Sequence, residues 1–300
     1  MAWSAAGTMI SRPYQGFASW WVEATYGNDT PKSAASEIAD CVGSARFETG
    51  EVNKYYRSID SYKISKATET LIDYTFHLEY HVQYDDELAK YLFLRGADDN
   101  VRSLGFEIGM NTGSAAYDSF FILKGCKCKN AELNGSEGEG WNVTADFSVR
   151  DITITDTQNS TVTTTVTGDL CMFNVAGNIQ ADAADIAYAV NNFTVRVSHG
   201  IDDIWTVGSR LKKAAIGTAM DITGSCDISM DDGGGNHIND VIGSAEATSI
   251  VIDLGTGGSL RFTLSNARFD SGMIETAGRS EGVIEGCPFT CRDIAITAVP

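Results

Sequence analysis

Along most of the chain apolar and polar residues alternate with period two, the pattern of half-buried strands. LIDYTFHLEYHVQY (71–84) shows it best: Leu71, Tyr74, Phe76, Leu78, Tyr80 and Val82 give a near-alternating face, with a phase slip near Asp73 that predicts a bend or bulge. The same reading predicts strands over KISKA (63–67), VRSLGFEIGM (101–110) and DSFFILKGCKCKNAEL (118–133). After the turn NGSEGEG (134–140) a further strand returns in WNVTADFSVRDITIT (141–155). The period changes in DDELAKYLFLRG (85–96), which predicts a helix. Asp85 or Asp86 can cap it, Leu88, Tyr91, Leu92 and Leu94 share a face, and Gly96 can stop it.

The order then recurs. The Thr-rich TQNSTVTTTVTGD (157–169) reads as a linker or an edge strand, and the boundary between two halves is placed there. NNFTVRVSH (191–199) and AMDITGSCDISM (219–230) alternate, and DDGGGNHINDVIGSAEATS (231–249) takes the position of the Asp-Asp helix. IVIDLG (250–255), SLRFTLSNARFD (259–270), the turn ETAGRSEG (275–282) and VIEGCPFTCRDIAITAV (283–299) complete the series. At an offset of 142, Phe120 falls on Phe262, Ile122 on Leu264, Phe147 on Phe289, and Arg150-Asp151-Ile152 on Arg292-Asp293-Ile294. The pattern predicts an all-β protein with small helices. Its parts are an N-terminal arm or first strand (1–40) and tandem β domains at 41–160 and 161–300, each with one helix.

Composition agrees with that picture. Three hundred residues, 43% of them hydrophobic, can bury one large core or two ordinary ones. The chain carries −18, as 14 basic against 23 acidic residues in 1–160 and 8 against 17 in 161–300. No Lys or Arg occurs in 151–195 or in 214–260, the opposite of what gripping a phosphate backbone requires. The N-terminus shows no basic leader with an unbroken apolar run, and no apolar stretch is long enough to span a membrane. Soluble and unprocessed is the expectation.

Catalytic and metal motifs are not found. Seven cysteines and four histidines form no recognised zinc spacing, so reduced cysteines packed as small apolar side chains are expected. His77 and His81 lie on one side of a strand without a third ligand nearby, and no phosphate loop, nucleophile elbow or calcium loop appears. The paired Arg150-Asp151 and Arg292-Asp293 read as structural, each arginine forking onto a carboxylate across a strand or subunit. VNKYYRSIDSYKISK (52–66) is the one clearly basic segment. Its Lys54, Tyr55, Tyr56 and Arg57 read as a contact to an acidic neighbouring subunit rather than a nucleic-acid groove. Neither an enzyme nor a cofactor-dependent protein is expected.

WWVEATYGNDTP (20–31), followed by alternating strands, resembles the opening of the major tail tube proteins of long-tailed viruses of bacteria and archaea. Glu23, Thr25, Tyr26, Gly27 and Pro31 match the family's Glu-x-Thr-Tyr-Gly pattern; Ala24, Asn28 and Asp29 depart from it. The resemblance implies tandem tail-tube-like β-sandwich or barrel domains in a late structural protein of the virion tail, assembled in the host cytoplasm. It implies homo-oligomeric rings stacked into a tube for genome delivery. Two-domain subunits of this family form trimers with pseudo-sixfold symmetry, one-domain subunits hexamers. The partners it implies are the tail tip or baseplate, tape-measure and terminator proteins, with viral DNA passing the lumen unbound. Glu23, Tyr26, Gly27, the 54–57 segment and the two Arg-Asp pairs are the assembly candidates. The N-terminal arm, 48–66 and 156–169 are the expected inter-ring or inter-subunit contacts. The rival reading is a two-domain β-sandwich binding module of a virion surface or receptor-binding protein.

Overall fold

Alternation becomes pleated sheet wherever one face meets the core. A computed structural model describes residues 17–27, 35–38, 42–50, 53–57, 64–84, 86–110, 119–164, 168–173, 178–181, 184–185, 190–230, 248–255, 260–270, 273–276 and 283–298. The chain opens with β1 (Phe17–Val22), β2 (Ala35–Glu37) and β3 (Val42–Thr49). A hairpin of β4 (Asn53–Arg57) and β5 (Ile64–Glu69) precedes β6 (Tyr74–His81) and the helix α1 (Leu88–Phe93). Next come β7 (Leu104–Met110), the 18-residue β8 (Ser119–Ser136), β9 (Asn142–Val149) and β10 (Asp151–Thr155). β11 (Val162–Thr164), β12 (Asn178–Ala181) and β13 (Ala184–Asp185) lead into the second half. There β14 (Val190–Ser198) is followed by a hairpin of β15 (Ile201–Ile204) and β16 (Ala214–Gly217), then by β17 (Asp221–Met230). The last strands are β18 (Thr248–Asp253), β19 (Leu260–Phe269), β20 (Met273–Thr276), β21 (Val283–Cys291) and β22 (Asp293–Ala298).

One long antiparallel sheet runs β3-β6-β9-β8-β14-β17-β21 and ends on β19 and β20, both of which pair with β21. It crosses the middle of the chain where β8 meets β14, from Asn130 opposite Ser198 to Ser136 opposite Asn192. Two smaller sheets cover its inner side: β2-β1-β7-β8-β10 in the first half and β13-β12-β18-β19-β22 in the second. β8 serves both layers because the chain bends at Gly125, whose φ of 65° is open to glycine without a Cβ clash.

Between the layers the rings of Phe76, Phe106 and Phe147 meet pairwise at 5.1–5.4 Å. Such buried rings each contribute roughly 1.5–3 kcal/mol through area removed from water. The apolar cluster continues without a break into Phe193, Phe262 and Phe289 of the second half. Phe93 of α1 stands edge-on to Phe262 at 5.3 Å, so the helix of one half closes onto the sheet of the other.

The two halves share a pairing scheme. β3, β6, β9, β8, β7 and β10 are connected as β14, β17, β21, β19, β18 and β22 are, with a hairpin inserted after the first strand of each set. Even the register shifts coincide: Val42/Ser44 in the first half, Val190/Asn192 in the second, 148 residues on. Phe147 and Ser148 answer to Phe289 and Thr290 at the offset of 142. β8 is displaced by one: Phe121 and Leu123 occupy the places of Phe262 and Leu264, because Ile152 opposes Leu123 as Ile294 opposes Leu264. Matching Phe120 with Phe262 and Ile122 with Leu264 would turn every side chain of that strand to the wrong face.

Several sequence expectations change. The helix is only Leu88–Phe93, with Glu87 at its N-cap making no side-chain cap and Leu94, already extended, at its end in place of Gly96. The buried Asp86 carboxylate accepts the Leu88 N–H and the Tyr80 hydroxyl, each at 2.8 Å. The β15–β16 hairpin was not anticipated. The segment 157–161 is pinned rather than loose: the buried Glu107 carboxylate accepts the N–H groups of Asn159 and Ser160, both at 2.7 Å. Of the expected second-half helix (231–249), residues 231–247 lie outside the described residues and Thr248 and Ser249 open β18 instead; residues 1–16 of the expected arm also lie outside the described residues. Residues 17–22 of that arm are β1, paired along its length with β7.

Candidate functional site: a polar sheet face and the hairpin latched across its end

Successive side chains of the long sheet point to opposite sides. Phe76, Leu78 and Tyr80 of β6, Val143, Ala145 and Phe147 of β9, and Phe193, Val195 and Val197 of β14 are buried in the core. Their alternates form a polar face across both halves: Thr75, His77 and Glu79; Asn142, Thr144 and Asp146; Asn192, Thr194 and Arg196. The strands either side continue it with Arg46 and Glu48, Glu132 and Asn134, and Asp221, Thr223 and Asp227. Cross-strand bonds order it. His77 Nδ1 lies 2.8 Å from Asp146 Oδ1, Asn142 donates to Glu79 at 3.1 Å, and Arg46 pairs with Glu48. Acids outnumber arginines here, so the face as a whole repels phosphate.

At one end of this face the second half reaches back over the first. The β15–β16 hairpin carries Lys212, fully buried, with its Nζ 2.6 Å from Asp73, 3.1 Å from Asp203 and 2.7 Å from the Ser148 hydroxyl oxygen. Ser148 in turn donates to Asp203 at 2.6 Å, and the ammonium lies 5.8 Å from the Trp205 ring centre. Arg95, just beyond α1, grips the hairpin's base by donating to the carbonyls of His199, Thr218 and Ala219 at 2.8–3.0 Å. His199 is itself buried, 2.8 Å from the Leu92 carbonyl, and burial lowers its pKa, with Arg95 adding to the effect. The hairpin's outer side leaves Ile204, Val207 and Ile216 exposed.

The Glu-x-Thr-Tyr-Gly stretch is a folded turn held by its own glutamate. The buried Glu23 carboxylate accepts the Gly27 N–H at 2.9 Å, the Gly125 N–H at 3.0 Å and the Ser103 hydroxyl at 2.6 Å. Gly27 has φ +62° and Arg150 lies where its Cβ would be, so only glycine fits between the turn and that arginine. Arg150 donates to the Tyr26 carbonyl at 2.7 Å and lies 5.6 Å from the Tyr26 ring centre. Burial, then the charges of Asp203 and Cys126, push the Tyr26 phenol well above its usual range.

The expected arginine–carboxylate forks are therefore not what the chain makes of Arg150. A backbone carbonyl and an aromatic face take its guanidinium, because the chain turns sharply there and brings the 23–27 turn within reach. Arg292 is exposed, and Asp293 accepts the Ile294 N–H at 2.8 Å. What the Arg-Asp pairs share is backbone: Arg150 N–H donates to the Lys124 carbonyl and Arg292 N–H to that of Ser265, each bending one strand into the next. Asp151 opens β10 opposite Lys124. Lys54, Tyr55, Tyr56 and Arg57 make up most of β4, paired with β5. Sequence reasoning missed Lys212, Asp203 and Arg95; the Lys212-Lys213 pair beside a long lysine-free stretch was the available signal.

Six cysteines among the described residues are buried, and burial raises the thiols of Cys126 and Cys128 and pushes that of Cys291 up to about 12. Cys126, Cys128 and Cys291 are therefore packing residues with little thiolate character. Among the described residues no group of three or more His, Cys, Asp or Glu side chains is placed to hold a metal, and no helix is long and apolar enough to cross a membrane. None of the curated proteins compared matches the chain. The sequence profile of the phage tail tube proteins matches residues 14–291, so the chain belongs to the phage tail tube protein family.

Proposed function

We propose that this chain is the self-assembling subunit of a viral tail tube, stacking as homo-oligomeric rings whose bore conducts the genome. The carrying observation is the polar face that runs unbroken across both halves on strands whose other face is core. A sheet of this kind fits a tube wall: apolar side inward to its own covering sheets, hydrated acidic side to the bore, where DNA with about one charge per 1.7 Å slides without adhering. The tube is part of the virion tail, assembled in the host cytoplasm alongside tail tip or baseplate, tape-measure and terminator proteins. The protein's role is structural, without catalysis.

The halves, 41–160 and 161–300 with the first strand joined to the former, are tandem copies of one domain. The shared pairing scheme, down to a common register shift, supports this reading. Three such chains supply six domains, so the ring is a trimer of six-part appearance. Electron microscopy of the purified protein, with averaging of end-on views, tests it. Hollow rings or tubes with three chains per ring are expected; a monodisperse monomer at high concentration, in the presence of tail tip complexes, would favour the binding-module reading.

A further inference from the structure

The Lys212-Lys213 pair is divided between two sites. Lys212 is buried in the latch, while the exposed Lys213 borders a cleft of about 670 Å³. Three walls enclose that cleft: the 23–27 turn, the 97–103 loop beyond α1, and residues 213–216 of the β15–β16 hairpin. Lys127 of β8 lines it as well. Its size lies within the range of about 300–1,000 Å³ of clefts that hold ligands.

In a chain of net charge −18 this cleft gathers Arg102, Lys127 and Lys213. Among the described residues none of the three makes an ion pair. Lys127 is half-buried with its Nζ 5.7 Å from the Tyr26 ring centre, and Arg102 lies 5.9 Å from that of Tyr91. Burial lowers the Lys127 pKa, with the charge of Asp98 opposing the shift. An anion arriving in the cleft would relieve that cost. The two carboxylates in the walls are already engaged. Glu23 accepts from Gly27, Gly125 and Ser103. Asp98 accepts from the Asn100 side chain at 3.1 Å, which holds its pKa below the usual value.

Shape narrows the anion to a peptide. Side chains alternate along a strand, so the successive residues 213–216 line one cleft only where the strand turns its edge toward it. Among the described residues β16 pairs with β15 alone, which leaves that edge to an extended segment. Val101, Ala215 and the exposed Ile216 set an apolar wall beside the cations. DNA is a poorer fit, since a long polyanion would run on from the cleft over a strongly acidic surface. The polar face of another copy is poorer too, because its carboxylates stand on a flat sheet that cannot enter a cleft. We infer that the cleft binds an extended acidic segment of a partner protein. Arg102, Lys127 and Lys213 take its carboxylates, an apolar residue between them packs on Ile216, and its backbone follows β16.

This site does not depend on the tube reading and is tested on the full-length chain in solution. A fluorescein-labelled peptide of repeated Glu-Glu-Ile units is titrated with the protein and its anisotropy followed. Saturable binding is expected. Arg102→Glu with Lys213→Glu should weaken it about tenfold or more, as should Gln in place of every Glu of the peptide. Both of those side chains are exposed, so the reversal leaves the core untouched. Lys127→Gln removes the third cation and should also weaken binding, whereas Arg196→Glu on the polar face should leave it unchanged. No binding, or binding indifferent to all the cleft changes, overturns the inference. Displacement of the peptide by short duplex DNA at equal concentration also overturns it, in favour of a phosphate site. A peptide that binds the dissociated chain but is excluded from assembled rings makes a second copy the occupant and overturns the partner.

Discussion

Glu23 shows how one side chain can hold a junction of three chain segments. Its carboxylate collects two backbone N–H groups and a hydroxyl that would otherwise be buried without acceptors. Glu23→Ala takes the acceptor from all three donors, and about 3 kcal/mol of stability should be lost. Urea unfolding of the two proteins checks this, and a loss within error of zero would remove the turn from the folding argument. His199 supplies a pH dependence whose sign is fixed. Its pKa is lowered in the fold, so the unfolded chain binds the proton more tightly below about 6.5. The contribution is complete above that pH and is lost as pH falls toward the folded-state pKa, by at most about 1.4 kcal/mol per pH unit. Melting of the wild type should decline more steeply from pH 6.5 to 5 than that of His199→Gln, and parallel curves would refute it.

At the scale of elements, Lys212 decides whether the β15–β16 hairpin belongs to the first half or hangs free. Lys212→Met deletes the cation shared by Asp203 and Asp73 and leaves Asp203, 8% exposed in its side chain, to the more distant Lys129 at 3.6 Å and the Ser148 hydroxyl. Breaking such a buried pair costs about 3–5 kcal/mol, and the effect should appear as faster proteolytic cutting within 205–209 while the far-ultraviolet spectrum stays that of a β protein. Unchanged cutting would mean that Arg95 and the bonds of Arg210 to Thr70 and Ile72 hold the hairpin without Lys212. The strands were legible in the sequence because each carries the period-two signal of a sheet with one wet face: β6, β9, β14 and β21 fall where alternation put them. The hairpin was not, since its apolar residues Ile204, Val207 and Ile216 face outward and give no core pattern. The helix was read too long because Asp86 and Leu94 satisfy a sequence pattern whose termini are set instead by the Tyr80 hydroxyl and an early return to extended backbone. Glu23, Tyr26 and Gly27 were legible only through a resemblance; nothing in spacing alone reveals that Gly125 and Ser103 complete that turn.

For the molecule as a whole, the acidic polar face matters only if it lines the bore, and that placement can be tested without a ring structure. Thr144 and Thr194 lie on the face, on β9 and β14, away from the latch and from both sheet edges. Replacing both by Lys adds two cations per copy without touching the core, so assembly should proceed as in the wild type. Each new ammonium that meets a phosphate releases condensed counterions, lowering log K by about 0.9 per contact for each tenfold rise in salt. Tubes of the variant should therefore retain short duplex DNA at low salt and release it steeply as salt rises, while wild-type tubes retain none. If the variant's added cations leave retention unchanged in intact tubes, this face is turned outward or buried between rings, and the bore is lined by the covering sheets instead. If wild-type tubes already hold DNA strongly, the repulsive role of the acidic residues is wrong even with the face correctly placed.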